Sequence, residues 1–90
     1  MSIPVCTGGT CAAGVSSITF TNSLTQEVTI TSCTLPGWPT NNEPEVPAAK
    51  NGVNGSTTVQ LTGRTTVGTY DYTTNPSCND LNTDPQIKVQ

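Results

Sequence analysis

Ninety residues carry three basic and six acidic side chains, four cysteines and no histidine. A chain this short builds one domain with a thin core. Its only cations, Lys50, Arg64 and Lys88, are too few for a phosphate-binding footprint, and no apolar run approaches the roughly 20 residues that span a bilayer. Nucleic acid and membrane insertion are therefore not expected. Threonine occurs 18 times and asparagine eight, with eight glycines and seven prolines; chains of this kind form strands and turns rather than helices.

Residues 1–14, MSIPVCTGGTCAAG, are small and polar with three glycines. They read as a flexible arm carrying Cys6 and Cys11. They have neither the basic n-region nor the apolar h-region of a signal peptide. From Val15 onward alternation begins. Ile18 and Phe20 oppose Thr19 and Thr21 in SSITFTN, and Val28 and Ile30 oppose Thr29 and Thr31 in QEVTITS, each the pattern of a half-buried strand. NSLT between them is a turn. CTLPGWPTNNEPEVP, with four prolines, reads as an irregular crossover, with a further short strand placed around Val46. After the turn-rich NGVNG, STTVQLT turns Val59 and Leu61 inward. Tyr70 and Tyr72 share a face in TYDYT, and Ile87 and Val89 share one in QIKV. The expected core is Ile18, Phe20, Val28, Ile30, Leu35, Trp38, Val59, Leu61, Tyr70, Tyr72, Ile87 and Val89. Burial worth roughly 1.5–3 kcal/mol for each large apolar side chain only narrowly offsets chain entropy, so a staple or a partner surface is expected. The reading is all-β: a small antiparallel β-sandwich of five to seven strands over residues 15–90, preceded by the arm.

Three blocks in order resemble a cupredoxin: ITFTNSLTQEVTI, VPAAKNGVNGSTTVQL and GTYDYTTNPSCNDLNTDPQIKV, the last similar to the family's closing hairpin. The resemblance covers about residues 15–90 and implies a Greek-key topology. It does not extend to the metal. The first copper histidine would fall near Glu27 or Val28, the ligand cysteine near Thr74, and the second histidine has no counterpart. Met1, the one methionine, is at the wrong end. A blue-copper centre needs two imidazoles and a thiolate, so a scaffold without copper and without another cofactor is expected. In that family the loop after the second strand and the loop before the last meet at one pole. The resemblance thereby implies a Cys33–Cys78 disulfide, worth roughly 4 kcal/mol for so long a loop in the chain-entropy model.

Cys6 and Cys11 then form a local disulfide, stay reduced, or cross-link to another copy. The last layout resembles that of endospore-appendage subunits, whose cysteine-bearing N-terminal arms staple successive copies into fibres, although the adjacent cysteines typical of those arms are absent. The chain itself is thus a candidate partner. Four cysteines in a short chain point to an oxidising, extracellular or cell-surface setting. They lack the paired spacing of a zinc site.

Asp80, Asn82 and Asp84 spell the start of a calcium loop, but Pro85 and Gln86 replace the required glycine and no twelfth-position glutamate follows; Asx turns account for them as well. With no histidine, a serine or cysteine nucleophile lacks its usual base. Glu43, Glu45 and Asp71 read as solvated charges, so no catalytic residues and no enzyme are expected. Trp38 is either a lid on the core or a platform for a sugar ring or partner. Asn54-Gly55-Ser56 matches a glycosylation sequon, and Asn-Gly is also a turn dipeptide. The expected role is a non-catalytic structural or binding module of an extracellular or cell-surface assembly. The alternatives are a fibre subunit cross-linked through the arm and a small-ligand or calcium binder at the Trp38/Asp80 pole.

Overall fold

The computed structural model describes residues 2–77 and 85–90. Among these the fold is all-β, with strands β1 (Ser2–Pro4), β2 (Gly8–Cys11), β3 (Ser17–Asn22), β4 (Val28–Cys33), β5 (Glu45–Val46), β6 (Gly55–Gln60), β7 (Gly68–Asn75) and β8 (Gln86–Val89). They make a sandwich-like pair of sheets, one ordered β1-β3-β6 and the other β2-β8-β7-β4-β5. Both sheets are mixed rather than purely antiparallel, because β1 lies parallel to β3 and β2 parallel to β8.

Those two parallel pairs correct the reading of residues 1–14 as a flexible arm. Residues 2–11 are structural and serve both sheets in turn. Ile3 and Val5 are 0% and 1% exposed, inside the same core as Phe20. Two more interior side chains at roughly 1.5–3 kcal/mol each strengthen a core that the rest of the chain leaves thin. Between β1 and β2 the chain crosses from one sheet to the other. The Val5 amide donates to the Thr21 carbonyl (2.8 Å) on one side, and Gly8 pairs with Gln86 on the other. Gly8 has φ +74, and a Cβ there would overlap the Gln86 backbone, so only glycine can make this crossing.

The remaining strands follow their alternation. Ile18, Phe20, Val28, Ile30, Val59, Tyr72, Ile87 and Val89 are buried as expected, together with Leu35; Leu61, Tyr70 and Trp38 are partly buried against them. Val46, on the two-residue β5 beside β4, and Cys11 complete the interior. The Phe20 ring stands edge-on to Tyr72 at 5.6 Å and to Trp38 at 6.1 Å, linking the two sheets and the crossover loop.

Two polar side chains, neither anticipated as structural, organise the loops. Asn22 is 1% exposed. Its Nδ2 donates to the Gln26, Val46 and Pro47 carbonyls (2.8, 3.2 and 3.1 Å), and its Oδ1 accepts from the Leu24 amide at 2.9 Å. Thr65 donates from Oγ1 to the Ala12 carbonyl (2.8 Å) and accepts there from the Val15 amide (3.1 Å), fastening the chain as it leaves β2. A buried polar group this fully paired is a structural element rather than a penalty.

Candidate functional site

The cysteines are placed differently from expectation. Cys11 and Cys33 are free thiols, which removes both the Cys33–Cys78 staple and the Cys6–Cys11 loop. Cys33 ends β4 half-buried opposite Tyr72. Burial pushes its thiol pKa up, and a hydrogen bond from the Leu35 backbone draws it partly back. Burial likewise raises the pKa of Cys11, which lines a cavity of about 230 Å³ with Ile3, Val15 and Ile18. Cys6, in the crossing between β1 and β2, is disulfide-bonded and packs against the core. Cys78 and the calcium candidates Asp80, Asn82 and Asp84 lie outside the described residues.

The positions matching the copper ligands scatter. Val28 is buried at the start of β4, Glu27 is exposed just before it, and Thr74 sits within β7 beside Ile30. Among the described residues no three of His, Cys, Asp and Glu gather into a metal-binding group. Asp71 is exposed and accepts from Gln86 Nε2 at 2.8 Å, which makes it a cross-strand surface contact.

Two surfaces have features that a generic solvated face lacks. The first is the outer face of the β1-β3-β6 sheet. Register places Thr19 opposite Thr58 and Thr21 opposite Ser56, with Ser17 opposite Gln60, and the Thr19 and Thr58 hydroxyls bond each other at 2.8 Å. Ser2 and Pro4 extend the face on β1. Among the described residues of these three strands no charged side chain interrupts it. The outer face of the other sheet, by contrast, carries Asp71 and Lys88 on adjacent strands.

The second is a groove of about 400 Å³ between the end of β4 and the crossover loop, lined by Thr31, Ser32 and Cys33 on one side and by Trp38 to Glu43 on the other. A bulge in β4 shapes its floor: the register against β7 slips between Ile30 and Ser32, so the hydroxyls of both Thr31 and Ser32 reach the one Thr73 hydroxyl at 2.7 Å. The wall is set by two turns, closed by the Trp38 amide on the Leu35 carbonyl (3.0 Å) and the Asn42 amide on the Pro39 carbonyl (3.2 Å). Asn41 takes the left-handed conformation, φ 58, that asparagine tolerates better than most residues. Trp38 is half-buried, edge-on to Phe20, with its Nε1 donating to the Asn42 carbonyl at 3.3 Å. It packs against the core and also lines the groove. Thr40, Asn41 and Asn42 were not singled out from the sequence; the signal was there in a polar run, TNNE, directly after an aromatic. A scan against protein-family models finds none that matches this chain, and searches of curated proteins and of solved structures find no match either.

Proposed function

We propose that the protein is a non-catalytic, copper-free structural module of an extracellular or cell-surface assembly, and that it packs against further copies through the outer face of the β1-β3-β6 sheet. The supporting observation is the chemistry of that face. A chain of net charge −3 repels its copies, yet this surface is free of charge and presents paired hydroxyls (Thr19 with Thr58) and small side chains. Copies can meet there without burying an unpaired ion. Natural sheets often guard exposed edge strands with charge, and the edge strands of this sheet, β1 and β6, carry none. The disulfide at Cys6 is in keeping with an oxidising setting.

Sedimentation velocity over a wide concentration range tests this. The wild type should self-associate, and Thr19→Lys with Thr58→Lys should remain monomeric while keeping its fold. A wild-type protein that is monomeric throughout contradicts the reading. Cross-linking of copies through a free N-terminal arm is not favoured, because the segment that would reach a neighbour is committed to β1 and β2.

A further inference from the structure

We infer that the groove beside Trp38 is a binding site for a neutral saccharide. The inference is independent of self-association through the threonine face, which lies on the other sheet.

The groove combines one aromatic side chain with polar groups that have no other task. Trp38 packs nearly perpendicular to Phe20 and is held at its Nε1 by the Asn42 carbonyl, so its ring position is set before any ligand arrives. Thr40, Asn41 and Glu43 line the same groove, and none of their side chains makes a hydrogen bond among the described residues. The backbone turns, including the left-handed Asn41, fix where these exposed side chains leave the chain. A preset ring flanked by unspent donors and acceptors suits a ligand with an apolar face and a hydroxylated rim, and a pyranose is that kind of molecule.

The lining disfavours the other ligand classes. Among the described residues no lysine, arginine or histidine borders the groove, and Glu43 does, so phosphates and carboxylates meet repulsion without compensation. A purely apolar ligand would cover the Asn41 amide and the Thr40 hydroxyl without replacing their water. A volume of about 400 Å³ is in the range of small-molecule sites.

Trp38 is the only tryptophan, so its emission reports on this groove alone. Titration with cellohexaose, chitohexaose and maltohexaose should give a saturable change for at least one, with a Kd on the order of 1 mM. Amide shifts in nuclear magnetic resonance spectra should map to residues 31–33 and 38–43. Asn41→Gly keeps the left-handed backbone and should weaken binding roughly threefold to tenfold through the lost side-chain hydrogen bonds. Trp38→Phe keeps an aromatic cover over Phe20 and should abolish detectable binding, as read by the amide shifts. No response to any of the three sugars at about ten times that Kd would overturn the inference. So would shifts mapping elsewhere, or affinity unchanged in both variants. Sedimentation without sugar reads self-association separately, so either idea can fail alone.

Discussion

The hydroxyl of Tyr72 donates to the carbonyl of Val5 at 2.8 Å, joining the middle of β7 to the point where the N-terminal segment crosses between the sheets. A second, longer contact from the same hydroxyl reaches the Pro4 carbonyl at 3.3 Å. Tyr72 is 1% exposed, so its removal strands a buried carbonyl. Tyr72→Phe should therefore destabilise the fold by about 1–3 kcal/mol in denaturant titrations. It should also open the first strands to thermolysin near Ile3 and Val5 while β3 stays intact. Equal resistance of the two proteins would show that the hydroxyl does not hold the crossing.

The same residue sets an alkaline limit. Burial, above all, and then the neighbouring Cys33, raise the Tyr72 pKa above its ordinary 10 in the folded state, with the Gly8 backbone opposing weakly. The thiols of Cys11 and Cys33 are raised by burial from 9.0. A raised folded pKa means that the unfolded chain releases its proton first as pH climbs, so stability is complete below the unfolded values and falls above them. Stability should be flat across neutral pH and decline from about pH 9 upward. Removing the thiols with Cys11→Val and Cys33→Ala should move the onset toward pH 10. A decline that begins at neutral pH would contradict these assignments.

Thiol chemistry separates the four cysteines. Peptide mapping without reduction should find Cys6 in a disulfide and Cys11 and Cys33 free. Iodoacetamide on the native protein should modify half-buried Cys33 slowly and leave buried Cys11 untouched until unfolding. A bond to Cys33 would restore the staple that the cupredoxin resemblance implies.

Adjacent glycines make a controlled pair. A Cβ on Gly8 would strike the Gln86 backbone at φ +74, whereas one on Gly9 would meet only the Ile3 and Pro4 side chains at 3.7 Å, an ordinary contact. Gly8→Ala should cost at least about 2 kcal/mol, and Gly9→Ala should be tolerated in the same thermal unfolding assay. Asn22→Ala, which strands three carbonyls and an amide, should cost roughly 3 kcal/mol.

Much of the sheet framework is visible in alternation. Ile18 and Phe20, Val28 and Ile30, and Ile87 and Val89 stand out because every second residue is apolar and the rest are Thr, Ser, Lys or Gln. The N-terminal strands carry the same signal in Ile3 and Val5, but Pro4 and three glycines mask it. Their partners are also remote: β2 lies against β8, at the opposite end of the chain, and no local pattern encodes a parallel pairing of that reach. Asn22 and Thr65 were illegible for a related reason. A polar residue next to a turn looks solvated until the carbonyls it serves, from Val46 or from Ala12, are brought around it. For the groove, Trp38 was readable as an aromatic out of pattern, while its polar wall depends on the turn geometry of residues 35–42.

Amide hydrogen exchange of residues 2–11 measures most directly whether this chain is one sandwich from its first strand onward. The Val5 amide, bonded to Thr21, and the β2 amides paired with β8 should be protected to the same degree as Phe20 in β3. Exchange at those positions near the rate of an unfolded peptide, with β3 still protected, would contradict the account.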